Sequence, residues 1–313
     1  MDLTIGVDLG GTKVQAVAVA NQRVVGEARR PTPQTDATAV VDEIVATVKE
    51  AASAAPGKVV RIGIGTPGTI TGDGHVSKAT NVPGFMEDVP LGPSVSKAFG
   101  GVPVAVDNDV RAAAMGEFHR GAGRPYRDLL GVFVGTGVGG GLILGGTVRR
   151  GRGSAGEIGH TSVKQGGRQC SCGQRGHVEA YAGRMCIELA ARRKQAEGAD
   201  TVLFEIMKRK GRDRVTSSVI ADALERGDAL THALIDKAVE ALAIGLANVQ
   251  NTLDLEAMIV GGGLGDRLGA PFIRRIADAM TPRLRVPEHP PVMLATQLGD
   301  LSGAVGAAVI AGG

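Results

Sequence analysis

The chain has 313 residues, 43% hydrophobic and 21% charged, a balance that excludes a disordered protein and allows two lobes with a sizeable buried core. A net charge of +3, no Trp, two Tyr and six Phe leave neither the electrostatic footprint nor the stacking surface of a nucleic-acid binder. No apolar run reaches the roughly 18 residues of a membrane span, MDLTIGVDLGG starts with acid where a secretory signal needs base, and three cysteines cannot make a disulfide framework. The expectation is a cytoplasmic protein without nucleic-acid or membrane partners.

The first elements read as strands: LTIGVDL and VQAVAVA joined by GGTK, then RVVGEARR. ATAVVDEIVATVKEAA follows with Val40, Val41, Ile44, Val45 and Val48 at helical spacing, and VVRIGIGT returns to strand, so the chain alternates as an α/β protein does. PGTITGDGHVSKATNVPGFMEDVPLGPS reads as a loop long enough to line a site, ahead of the strand VPVAVDN and the helix DVRAAAMGEFHRG. A second lobe is expected from about Asn108, giving a small lobe of 1–107 plus 301–313 and a large lobe of 108–300. In the large lobe LLGVFV, GTGVGGG and LILGG repeat the strand, glycine turn, strand order of residues 3–20, which points to two related halves. Helices are expected near 183–196, 216–226 and 228–252, the last with an apolar stripe from Leu230 to Val249. LEAMIVGGGLGD is a buried strand entering a glycine turn, and SGAVGAAVIAGG closes the chain as a small-residue helix. The segment Arg184–Arg214 carries nine basic residues against five acids, a solvated face or a site for an acidic partner.

With 48 glycines, about twice the usual frequency, the chain is rich in turns that bring backbone close to a ligand. GIGTPG (63–68) and GTGVGG (135–140) match the dinucleotide pattern in letters only, since neither opens a helix, and no P-loop is present. Another device remains: a turn between antiparallel strands whose successive N–H groups converge on an anion. DLGGTK offers one, with Asp8, Gly10, Gly11, Thr12 and Lys13, although a plain hairpin turn gives the same letters. GTGVGG offers a second with Thr136 and Gly137, and Gly261, Gly262 and Gly263 open a helix as an adenosine shelf would. Three such turns, each leaving a strand, favour a nucleotide.

The segment GHTSVKQGGRQCSCGQRGHVEA (159–180) holds two of the three cysteines and two of the six histidines. It reads as a metal site, a redox pair or a polar loop; C-x-C lacks the C-x-x-C spacing and helix context of a redox pair.

Taken together, DLGGTK, DNDVRAA, GTGVGGG, GEIGH, CSCGQRGHVEA and GDLSGAVGAA resemble, in order and spacing along the whole chain, the ROK family of sugar kinases and sugar-responsive repressors. The resemblance implies a two-lobed, actin-like (hexokinase-like, ribonuclease H-like) ATPase fold with an inter-lobe cleft. It implies ATP-dependent phosphorylation of a hexose at its 6-hydroxyl, glucose first, with N-acetylglucosamine or N-acetylmannosamine kinase and a non-catalytic sugar sensor as alternatives. The first phosphate loop begins at Asp8, so the winged helix-turn-helix that precedes it in the family's repressors is not expected. The Cys-rich segment, which polyphosphate-using relatives lack, favours ATP as donor.

By the same resemblance Asp109 is the general base, although it could merely cap the helix it begins. Asp8 is the partner of Mg²⁺, and Thr12 and Thr136 hold phosphate oxygens. Gly68, Asn81, Asn108, Asp109, Glu157, His160 and Glu179 hold the sugar; with so few aromatics, carboxylates, amides and imidazoles must do so, and Glu157 alone would read as a surface residue. Relatives carry structural zinc on one His and three Cys. The matching positions here are His160, Cys170, Cys172 and His177, a histidine standing where the third Cys is usual. Two thiolates and two imidazoles still make a closed tetrahedral set. Relatives also lead us to expect a homodimer or homotetramer.

Overall fold

A computed structural model describes residues 1–312 and divides the chain into two compact units. The first comprises Met1–Arg127, Gly141–Ala155 and the segment from Gln297 to the end of the described chain; the second comprises Asp128–Gly140 and Gly156–Thr296.

The chain opens with the antiparallel strands β1 (Asp2–Leu9), β2 (Lys13–Ala20) and β3 (Arg23–Pro31). Asp36 caps α1 (Ala37–Ser53) by accepting from the Ala39 N–H at 3.0 Å, and Val40, Ile44 and Val48 are fully buried. β4 (Lys58–Thr66) then lies parallel to β1. The expected long loop contains a small hairpin, β5 (Thr69–Ile70) with β6 (Val76–Ser77), and ends in α2 (Leu91–Ala98). α2 escapes a sequence reading because it has no side-chain cap and carries Gly92 and Pro93 in its first turn. β7 (Val104–Asn108) pairs with β4, and α3 (Asp109–Arg120) follows directly. The sheet order is β3-β2-β1-β4-β7.

β8 (Leu129–Val134), β9 (Val138–Leu144) and β10 (Thr147–Val148) come next. The second unit continues with α4 (Glu179–Ala182), α5 (Arg184–Ala196), α6 (Leu203–Arg209), α7 (Ser217–Glu225) and α8 (Ala229–Leu253). β11 (Ala257–Gly261) is buried along its whole length and enters α9 (Gly262–Met280), which breaks at Gly269 just ahead of Pro271. β12 (Val292–Ala295) completes the sheet β10-β9-β8-β11-β12, with β8, β11 and β12 parallel. Three meandering strands followed by two parallel ones thus occur twice, as the repeated strand and glycine-turn pattern implies.

α10 (Ser302–Ile310) returns to the first unit and lies on β1 and β4. Its contact is backbone against backbone: a side chain at Gly6 would collide with Ala304 and one at Gly63 with Ala307. On its other side Gly306 meets Ala112, and Gly116 of α3 meets Ser302, with the same lack of room. The fully buried Glu117 fastens the pair, accepting from Ala122 N, Gln297 N, Leu298 N and Ser302 Oγ at 2.7–3.0 Å. Four donors on one carboxylate offset the cost of burying its charge. These contacts hold α3 and residues 297–300 in the first unit, where the sequence alone places a lobe boundary at Asn108 and the return at 301.

Among the described residues no helix is long and apolar enough to cross a membrane.

Candidate active site

In the first unit the turn after β1 closes through the Gly10 N–H, which donates to Lys13 O at 2.9 Å. That donor is spent, so the convergent set expected of Gly10, Gly11 and Thr12 reduces to Gly11 and Thr12 with the exposed Thr12 hydroxyl. Thr32 Oγ and Gln34 Nε2 brace the turn by donating to the Gly10 and Gly11 carbonyls at 2.6 and 2.9 Å. Gly11 has no room for a Cβ because the backbone of Asn81 lies against it. The turn expected to hold phosphate and the residue expected to touch the sugar are therefore neighbours. The loop bearing Asn81 is anchored by buried Ala79, Val82 and Phe85, and Gly68 takes a left-handed φ of +104° beside Ser77 and Ala79.

Asp8 lies where β1 meets the start of α10, and a Cβ at Gly303 would come within 2.7 Å of its carboxyl carbon. Burial pushes its pKa up to about 6; Lys13 opposes the rise and Asp300 adds to it. Lys13 is half-buried and engaged by Gln15 at 2.8 Å and Asp300 at 3.7 Å.

At the head of α3 the capping question is resolved in favour of Asn108. Its Oδ1 accepts from the N–H groups of Val110 and Arg111, both at 3.1 Å, and Asp109 is the first helical residue, its Oδ1 2.9 Å from Val110 N. Just before them, Asp107 is buried and holds Arg111 at 2.8 Å and Arg150 at 2.9 Å, while Arg111 Nη1 donates to Gly153 O at 2.6 Å. The Gly-rich loop that runs on to Glu157 is thereby strapped to the strand end that presents Asn108 and Asp109. Sequence reading misses this strap; its only local sign is the Asp107–Arg111 spacing of four.

In the second unit the turn after β8 closes in the same manner, Gly135 N donating to Gly137 O at 2.9 Å. Thr136 is exposed, and its Oγ accepts from Arg184 Nη2 at 2.8 Å. Of the glycine run opening α9, Gly261 and Gly262 serve packing, against Thr296 and against the backbone of Phe133 and Val134, with Gly262 at φ +80°. Gly263 faces polar groups, Ser217 Oγ and the Arg184 guanidinium.

Glu157 is exposed and leads into the 3₁₀ turn Ile158–His160, which lies along β9 because Gly159 meets the Val138 carbonyl. Glu179 is only 8% exposed. Its Oε2 accepts from Val138 N at 2.9 Å and its Oε1 from Ser171 Oγ, with Cys170 Sγ at 3.5 Å. The carboxylate expected on the sugar thus ties the glycine turn to the Cys-bearing loop.

In that loop His160, Cys170, Cys172 and His177 offer four ligand atoms all within 4.8 Å of one another. Nδ1 of His160 is 3.7 Å from Cys170 Sγ, and Nδ1 of His177 is 3.4 Å from Cys172 Sγ. Burial, more than the nearby Glu179 charge, pushes the Cys170 thiol up to about 12. A soft divalent cation would reverse that by binding the thiolate. Two sulfurs and two imidazole nitrogens fit tetrahedral zinc, and a site entered through Nδ1 leaves His160 Nε2 for another partner.

A family model described as the ROK family matches residues 4–313. The chain is 35% identical to a glucokinase of Streptomyces coelicolor over 99% of this chain and 98% of that one. It is 30% identical to an N-acetylmannosamine kinase of Vibrio cholerae over 90% of each. A crystal structure of a ROK family glucokinase from Streptomyces griseus in complex with glucose and AMPPNP superposes with a TM-score of 0.83 at 35% identity, covering 99% of each chain.

Proposed function

The chain belongs to the ROK family, and from that premise we propose that it transfers the terminal phosphoryl group of ATP to the 6-hydroxyl of a hexose, glucose first. The observation that supports this reading is the contact of Gly11 with Asn81, which sets the turn read as phosphate-binding against the loop read as sugar-binding inside one unit. The two-lobed actin-like ATPase fold of ROK sugar kinases accounts for the pair of meander-plus-parallel sheets.

Asp109, the first helical residue behind the Asn108 cap, is read as the acceptor of the 6-hydroxyl proton. Thr12 and Thr136 donate to phosphate oxygens. Mg²⁺ on the Asp8 side would neutralise charge on the triphosphate. Asn81, Asn108, Glu157 and His160 take sugar hydroxyls. Glu179, with each oxygen already accepting, fixes the glycine turn and the Cys-bearing loop and offers the sugar only its remaining lone pairs. The three free cysteines fit a reducing cytoplasm.

The test is ADP release measured over glucose, mannose, N-acetylglucosamine and N-acetylmannosamine. Glucose should give the highest kcat/KM; a preference for N-acetylmannosamine would move the chain to the chemistry of its Vibrio relative. Binding of glucose with no turnover of any sugar would make it a sensor.

Zinc is structural in this reading, a brace that aims His160 and steadies the loop ahead of Glu179. About one zinc per chain is expected by metal analysis. Cys170→Ala and His177→Ala should both hold it more weakly and lose more affinity for sugar than for ATP. Full zinc occupancy in His177→Ala would remove that histidine from the ligand set.

A further inference from the structure

Arg184 belongs to no motif that the family reading uses, yet it sits where two of the glycine turns of the second unit meet. Its backbone N–H donates to Gly135 O at 3.0 Å, and the next one, of Met185, donates to Thr136 O at 3.1 Å, so the head of α5 is fixed to the turn. Its side chain returns to the same place. Nη2 donates to Thr136 Oγ at 2.8 Å and Nη1 to Ser217 Oγ at 3.3 Å, beside Gly263, where the missing Cβ leaves space.

Three features of this arrangement point to an anion. No carboxylate lies within ion-pair distance of Arg184 among the described residues. Glu188, one turn further along α5, is committed to Arg192 and to the Val215 N–H. Burial works against the Arg184 charge, with Glu188 offsetting it only from a distance. Finally, the two hydroxyls accept from the guanidinium, so each must turn its own O–H elsewhere as a donor. A cation, two oriented hydroxyls and a glycine turn make a donor set without an acceptor.

We propose that Arg184 is a phosphate clamp for the nucleotide, holding Thr136 and Ser217 as donors and giving its own remaining N–H groups to the phosphate chain. This deepens the kinase reading and rests on it. A planar guanidinium spreads five donors over a fork, so it can serve two hydroxyls and still bind phosphate oxygens, whereas lysine has three donors on one nitrogen.

Calorimetric titration of MgADP, adenosine and inorganic phosphate into the wild type and variants tests it. Arg184→Gln should weaken MgADP roughly 10- to 100-fold, the loss of charge-assisted hydrogen bonds, and leave adenosine within about twofold. The KM for ATP should rise by a similar factor while the KM for glucose stays within about twofold. Arg184→Lys should fall between the two, and Ser217→Ala, which leaves the arginine in place, should cost MgADP roughly 3- to 10-fold. Inorganic phosphate binding at MgADP affinity would overturn the assignment to a nucleotide, as would equal losses of MgADP and adenosine in Arg184→Gln. If Arg184→Gln fails to fold, an unchanged MgADP affinity in both Arg184→Lys and Ser217→Ala overturns the clamp. A wild type that binds no MgADP sinks the kinase reading itself, whereas wild-type binding that Arg184→Gln leaves intact sinks the clamp alone.

Discussion

Asp109→Asn should leave a folded protein that binds glucose and phosphorylates it roughly 10²- to 10⁴-fold more slowly, the usual worth of a general base. The helix cap resides on Asn108, which accepts from Val110 and Arg111, so removing the Asp109 charge does not uncap α3. The contact from Val110 N to Asp109 Oδ1 can pass to the amide oxygen of asparagine, which keeps the size but loses the charge and the ability to take a proton. The variant should therefore keep its helix cap and stay folded. Coupled ADP release gives the rate, calorimetry the glucose affinity and thermal melting the fold. A variant retaining more than a tenth of the wild-type rate would show that another group takes the proton. Loss of glucose binding with the rate would mean that Asp109 acts mainly as a sugar ligand.

What could be read from the letters was whatever depends on backbone economy. β1, β2, β8 and β11 are apolar runs that leave through glycine, and buried strands ending in tight turns have few other solutions. The matching order of the two sheets follows from the same repeat. What escaped depends on tertiary approach. α3 belongs with the first unit because Gly116 and Gly306 let α3 and α10 touch backbone to backbone, and a glycine inside a helical pattern does not announce its partner. Glu117 looks like one more surface acid of an amphipathic helix, yet its four donors come from the chain around it and from 180 residues further on. Arg184 was hidden by its neighbourhood, because a segment with so many basic residues reads as a solvated face; only folding sets this one against a turn 48 positions earlier. The glycine turns add a detail that letters do not carry. Sequence supplies the residues of an expected anion nest, while Gly10 and Gly135 spend their N–H groups to close the turns, so any such nest would have to be made by the residues after them.

Asp8→Asn should raise the stability of the unliganded protein and destroy most of its activity. Burial lifts the Asp8 pKa from 3.8 to about 6, so the folded state holds its proton more tightly than the unfolded chain does. The sign follows from linkage. Below about pH 4 the group is protonated in both states and costs nothing; as pH rises towards 6 the unfolded chain ionises first, and the fold loses stability until its own carboxyl ionises too. Above pH 6 the full penalty applies, on the order of 3 kcal/mol at most from that displacement. An amide cannot ionise, so Asp8→Asn should melt a few degrees higher than the wild type at pH 8, with the gap closing as the pH falls to 4. In the proposed function that charge would have its use in the bound state, where a Mg²⁺–triphosphate would favour the ionised carboxylate. Affinity for MgATP in the wild type should accordingly weaken as pH drops below about 6, and Asp8→Asn should bind it poorly at every pH while still binding glucose. Thermal melts of both proteins from pH 4 to 8, paired with MgATP titrations, decide the matter. A stability gap that stays constant with pH would show that Asp8 is not the group being desolvated, and undiminished MgATP affinity in the variant would take it out of the nucleotide site.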